Sequence, residues 1–143
     1  MKKIREIMTT NVDYCTTVDN VYEAAVKMKQ DDVGMVPVCE EGRLVGVITD
    51  RDIVLRGVAS KKPGSTKITD VMTEKLITVS PETSLEEAEE IMANEQIRRL
   101  PVVENEKLVG IVSLGDLAVN RTTNQQAGMV LSEVSENRDH LQH

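Results

Sequence analysis

The chain spells one unit twice. At an offset of 64, residues 8–53 align with residues 72–117 without a gap, and twelve of those 46 pairs are identical. Met8/Met72, Glu23/Glu87, Met28/Met92, Pro37/Pro101, Gly46/Gly110 and Asp52/Asp116 are among them. Many other pairs are like for like, such as Val47/Ile111 and Thr49/Ser113. A repeat of this period restricts the fold to two copies of one supersecondary unit. Copies of about 60 residues are marginal alone, so two are expected to share a buried face.

The most constrained part of each copy is one turn. Residues 44–52 run Leu-Val-Gly-Val-Ile-Thr-Asp-Arg-Asp, and residues 108–116 run Leu-Val-Gly-Ile-Val-Ser-Leu-Gly-Asp. A short apolar run rich in β-branched residues reads as a buried strand. Thr49 or Ser113 then stands where a helix N-cap belongs, with Asp52 or Asp116 three residues on. Such boxes are usually structural. Their recurrence behind the same Leu-Val-Gly strand adds a second expectation, because a cap needs no preceding glycine whereas a ligand packed on backbone does. A helix start also offers N–H groups to anions, and a carboxylate accepts from hydroxyls.

The remaining elements follow in order. Residues 12–17 predict a short strand or extended entry, and Asp19 or Asn20 caps a helix carrying Val21, Ala24, Ala25 and Met28. Strand 35–39 contains Pro37, which marks an edge or bulge. The turn Glu40-Glu41-Gly42-Arg43 joins it to strand 44–48, and a helix is expected from about Asp50 to Val58. Residues 60–66 are a polar linker. The second copy predicts a strand at 76–79, then a helix opened by a Ser84/Glu87 capping box and carrying Leu85, Ala88, Ile91 and Met92. Strands 99–103 and 108–112 flank the turn Glu104-Asn105-Glu106-Lys107, with a helix over 115–121. The fold class is mixed α/β: two tandem β-α-β-β-α units, 1–62 and 63–122, packed with pseudo-two-fold symmetry. Residues 123–143 form a polar tail, with a short helix expected near Gly128.

Composition excludes several functions. With no Trp or Phe and a net charge of −7, the chain lacks the aromatic platforms and basic groove of a nucleic-acid binder. No run approaches a membrane span, and Met1-Lys2-Lys3-Ile4-Arg5-Glu6 does not lead into a signal-peptide h-region. Cys15 and Cys39 have no metal-ligand spacing, and they suggest reduced thiols in a cytoplasmic protein; a redox role for them ranks low. Both histidines, His140 and His143, lie in the last four residues, and no P-loop, G-x-G-x-x-G or C-x-x-C is present. Glu86-Glu87-Ala88-Glu89-Glu90 reads as a solvated helix face. No enzymatic activity and no metal site are expected.

The duplicated β-α-β-β-α unit, the Gly-x-x-Thr/Ser-x-x-Asp turn, the Val-Pro-Val and Leu-Pro-Val strands and the openings Ile7-Met8-Thr9 and Val71-Met72-Thr73 resemble tandem cystathionine-β-synthase (CBS) domains, the pair called a Bateman module. The resemblance spans about residues 4–122. It implies an adenosine-containing regulatory ligand (AMP, ADP, ATP or S-adenosylmethionine) in clefts between the units, with no obligatory cofactor. Thr49 and Ser113 would contact phosphate or ribose, and Asp52 and Asp116 the ribose hydroxyls. Val12, Val36, Ile77 and Leu100 are candidates to hold the adenine face, although such residues are more often core. Arg98 and Arg99, where the first unit has Gly34 and Met35, suit a phosphate. Arg51 stands opposite Gly115, so the two clefts are not expected to be equivalent. The resemblance further implies a stand-alone sensor that signals by conformational or oligomeric change to a separate protein target. It implies a flat homodimer too, with Met28, Met92 and the helices after each turn at the contact. The alternative is a ligand-free interaction module that dimerises and docks a partner.

Overall fold

The computed structural model describes residues 2–120; the expectation for residues 123–143 lies outside them. Two compact bodies result. The first holds residues 13–76 and 106–108; the second holds residues 2–12, 77–105 and 109–120.

In the first body, β1 (Cys15–Thr16) pairs in parallel with β2 (Met35–Glu40) through Cys15↔Val38 and Thr16↔Cys39. β2 runs antiparallel to β3 (Arg43–Thr49). The ladder slips between Val38 and Cys39, just after Pro37, whose missing N–H cannot contribute to a regular ladder. Glu41 and Gly42 take positive φ of 53° and 81°, the geometry of a tight hairpin turn that matches strand twist. Helix α1 (Val21–Asp31) starts at Asn20, whose side chain accepts from the Glu23 N–H at 2.9 Å. Val21, Ala24 and Met28 form its buried stripe. They pack with Cys15, Val36, Val38, Ile48, Ile68, Val71 and Met72 into one aliphatic core.

After β3 the expected helix from Asp50 to Val58 is not uniform. A single α-turn, α2 (Asp50–Asp52), widens into a π-helical stretch over Ile53–Gly57 and tightens to a 3-10 turn at Val58–Ser60. β-branched residues and a terminal glycine favour α-helix weakly, which leaves this segment free to adopt irregular turns.

The second body repeats the plan through α3 (Leu85–Glu95), β4 (Arg99–Glu104), residues 109–113 of β5 (Lys107–Ser113) and α4 (Leu114–Val119). Its core joins Ile4, Val79, Leu85, Ala88, Met92, Leu100, Val102, Val112, Leu114 and Leu117. The strand expected at 76–79 does not form. Val79 alone bridges Val102, and Pro81 two residues on supplies no N–H to extend the pairing. Ser84 Oγ does cap α3 by accepting from the Glu87 N–H at 3.1 Å. Among the described residues the return bond of a full capping box is not made. The acidic run on α3 is not a uniformly solvated face. Glu89 is only 2% exposed, because it falls on the same i, i+3, i+4, i+7 stripe as Leu85, Ala88 and Met92. Met28 and Met92 are core residues too, so neither supplies the contact surface expected of them.

Both bodies are completed by the opening of a repeat. Ile4, Met8 and Thr9 belong to the second body, and their repeat equivalents Ile68, Met72 and Thr73 to the first. Thr73 and Val47 exchange backbone hydrogen bonds at 2.7 and 3.0 Å; Thr9 and Ile111 do the same at 2.8 and 2.9 Å.

Candidate functional site

Each copy of the turn is a reciprocal capping box. Thr49 Oγ1 accepts from the Asp52 N–H at 3.0 Å, and Asp52 Oδ2 accepts from the Thr49 N–H at 3.1 Å. Ser113 Oγ and Asp116 Oδ2 repeat the pattern at 3.0 and 2.9 Å. The next N–H is taken as well: Asp50 donates to the Gly34 carbonyl at 2.9 Å and Leu114 to the Arg98 carbonyl at 2.8 Å. The helix starts are therefore less open to anions than the sequence implies. At each start the first and third N–H groups are used, and α2 and α4 are too short to build a strong dipole.

The repeated glycine has a local cause. A Cβ on Gly46 would lie 2.8 Å from Met72 Sδ and 3.0 Å from the Thr73 carbonyl oxygen. One on Gly110 would lie 2.9 Å from both Met8 Sδ and the Thr9 carbonyl oxygen. Close backbone approach is indeed the reason for glycine, but the approaching chain is the protein's own Met-Thr segment rather than a ligand. That corrects the inference drawn from the glycine in the sequence.

The two carboxylates differ. Asp52 is 8% exposed, and Thr73 Oγ1 donates to it at 3.0 Å (Oδ1) and 2.9 Å (Oδ2). Asp116 is partly exposed, and its counterpart threonine, Thr9, is exposed. Among the described residues Asp116 Oδ1 accepts no hydrogen bond, and Oδ2 accepts only the Ser113 N–H.

The structure divides the other candidates between the bodies. Thr49, Asp52, Arg51 and Val36 lie in the first; Val12, Ile77, Arg98, Arg99, Leu100, Ser113 and Asp116 lie in the second. Arg51 and Arg98 are exposed and Arg99 is partly buried. The Arg98 carbonyl at the Leu114 N–H places this arginine beside the Ser113 turn. Val12 and Ile77 are partly exposed, whereas the side chains of Val36 and Leu100 are enclosed in the two cores. Sequence reasoning missed Thr73, whose hydroxyl holds Asp52. The signal available was the repeated Met-Thr opening.

Cys15 and Cys39 are buried free thiols. Burial pushes Cys15 up to about 11 and raises Cys39 in the same direction, so neither is poised as a reactive thiolate. Among the described residues no group of three or more His, Cys, Asp or Glu is arranged to hold a metal ion. No helix among them is long and apolar enough to cross a membrane.

The family model of the CBS domain matches this chain twice, over residues 4–58 and 68–120. The chain belongs to the CBS-domain family. Among its relatives, uncharacterized protein YlbB of Bacillus subtilis (strain 168) is 55% identical over 138 residues, covering 95% of this chain and 93% of that one. The structure of Hypoxic Response Protein I with two coordinated zinc ions is similar with a TM-score of 0.76 and 32% identity, covering 85% of this chain and 100% of that one. CBSX2 in complex with AMP is similar with a TM-score of 0.73 and 28% identity, covering 83% of this chain and 95% of that one. A mixed α/β CBS-domain pair is thus the architecture, and its family match names no catalytic family.

Proposed function

We propose that this CBS-domain pair is a regulatory module that binds an adenosine-containing ligand, AMP, ADP, ATP or S-adenosylmethionine, at the Thr/Ser-x-x-Asp turn. One observation carries the reading: a capping box that holds a carboxylate rigidly, with oxygens still able to accept, at the end of a strand. Vicinal ribose hydroxyls are donors that such a carboxylate can take in pairs. Ser113 and the neighbouring Arg98 and Arg99 suit a phosphate on the same ligand. The AMP-bound CBSX2 structure supports the choice of ligand class.

A nucleotide of some two dozen heavy atoms at about 0.3 kcal/mol per atom would bind with roughly 7 kcal/mol, a Kd on the order of 10 μM. That affinity suits sensing of a nucleotide pool, and the bound state would shift the protein only by its differential affinity for two conformations.

The second reading, an interaction module, is favoured by a different observation. Val54, Leu55 and Val58, in the irregular turns after α2, and Val119 at the end of α4 are exposed apolar side chains. They follow the capped turn of one body and of the other, and are candidate contact residues for a homodimer or a protein target. Thermal melting separates the two readings. A ligand at a hundred times its Kd should add about 2.7 kcal/mol of stability. No shift with any of the four adenosine compounds at millimolar concentration would leave the interaction module as the better reading.

A further inference from the structure

We propose that the surface formed by residues 51–62 of the first body docks an acidic segment of another protein, one that carries aliphatic side chains between its carboxylates. This deepens the interaction-module reading by naming the partner's chemistry, and it does not depend on the adenosine ligand.

The surface starts from the irregular backbone. Asp52 and Gly57 are buried and Ile53 packs against the core, so residues 54–56 and 58–60 turn outward. Val54, Leu55 and Val58 are 56%, 47% and 71% exposed, and Arg51, Arg56, Lys61 and Lys62 around them are exposed as well. The platform is held from its own side. Ser60 Oγ donates to the Leu55 carbonyl at 3.0 Å, the Lys62 N–H to the Gly57 carbonyl at 2.9 Å and Arg56 Nη1 to the Met72 carbonyl at 3.1 Å. A partner therefore meets a surface that is already ordered, with little further entropy to lose. The fold does not demand these side chains. Continuing the 64-residue offset, Arg51, Val54 and Arg56 correspond to Gly115, Ala118 and Asn120, and the second body builds its capped turn without them.

Charge decides between occupants. Arg51, Arg56, Lys61 and Lys62 gather in a chain whose net charge is −7. Asp50, at the start of the segment, is exposed, and Asp52 is enclosed in its cap. Lys67, Asp70, Glu74 and Lys75, all exposed, lie farther along the chain and nearly cancel one another. A second copy on the same face would set the four cations against their own equivalents, with Asp50 alone to offset them. An anionic membrane or a nucleic acid extends well past the patch and meets the acidic remainder of the chain. Three aliphatic side chains without an aromatic anchor also bury little in a bilayer. A short acidic segment meets only the patch. Charges beyond about 8 Å are screened at physiological ionic strength, so the local cations set its interaction. Val54, Leu55 and Val58 then cover its aliphatic side chains.

Fluorescence anisotropy with labelled peptides of about 15 residues, Glu and Leu interleaved at helical and at strand spacing, tests this on the full chain. At least one should bind with a Kd below about 1 mM, shift the amides of residues 51–62 and weaken about tenfold or more at about 0.5 M salt. Peptides with Gln in place of Glu should bind at least about tenfold more weakly. Lys61→Glu with Lys62→Glu, and separately Leu55→Ser with Val58→Ser, should each weaken the Glu peptide at least about fivefold. If a double variant does not fold, the amide map and salt dependence of the unsubstituted chain decide the matter. Equal binding of the Gln peptides, no binding of any Glu peptide, or shifts confined to other residues would overturn the proposal. So would capture of the chain by phosphatidylglycerol vesicles through these residues. A dimer in analytical ultracentrifugation that Leu55→Ser with Val58→Ser dissociates would overturn it too, by giving the face to a second copy. None of these results bears on the adenosine reading, which stands or falls on melting with the four compounds.

Discussion

Gly110→Ala is expected to lower the melting temperature by roughly 3 to 10 °C, from an overpacking cost of about 1–3 kcal/mol. The new methyl would sit 2.9 Å from Met8 Sδ and 2.9 Å from the Thr9 carbonyl oxygen. The thioether is the end of a flexible side chain and can move, whereas the carbonyl is fixed by the paired bonds between Thr9 and Ile111. Met8→Ala in the same chain should therefore recover only part of the loss. A melting temperature within about 1 °C of the unsubstituted protein would show that the Met-Thr segment does not pack on β5 as described. Gly46→Ala should behave alike, since Met72 Sδ and the Thr73 carbonyl oxygen stand at 2.8 and 3.0 Å.

Ile4→Ala is expected to have the largest effect of any single truncation near the start of the chain, about 2–5 kcal/mol. Ile4 is fully buried among Val79, Leu85, Leu100 and Leu117, residues more than seventy positions away in sequence. Its N–H donates to the Thr83 carbonyl at 2.8 Å, and Lys3 and Arg5 on either side pair with Glu82 at 2.9 and 3.0 Å. Those exposed ion pairs add little by themselves, so the buried side chain dominates. Denaturant unfolding of the variant measures the loss. A change below about 0.5 kcal/mol would mean that residues 2–12 are an appendage rather than part of the second body.

These two residues also show where the sequence was legible and where it was not. The repeat, the α1 and α3 stripes, the two hairpins and the capped turns were all readable, because each depends on local periodicity or on turn chemistry within a few residues. The ownership of Ile4, Met8 and Thr9 was not. It is a long-range contact, and an offset of 64 relates equivalent residues without saying which body each completes. The same blindness explains the glycines. Gly46 and Gly110 mark a close approach, but what approaches them is the Met72-Thr73 and Met8-Thr9 segments and not the ligand that the sequence suggests. A run of four glutamates around one alanine hides the helical phase that buries Glu89. The irregular helix over Asp50–Ser60 left no clear signal, since tertiary packing rather than propensity sets its turns.

At the site, Asp52 and Asp116 were legible as a pair and illegible as individuals. Their capping geometry agrees to within about 0.2 Å, as the motif implies. What separates them is Thr73, a residue outside the motif whose hydroxyl reaches Asp52, whereas among the described residues Thr9 makes no such bond to Asp116.

The carboxylate-to-ribose contact is the point on which the functional proposal turns, and the ligand itself can be changed to test it. The measurement is the affinity of the unsubstituted chain for AMP against 2′,3′-dideoxyadenosine monophosphate, which keeps the base and phosphate but offers the carboxylate no hydroxyl. The proposal predicts at least about tenfold weaker binding of the dideoxy compound. Equal affinities would contradict it.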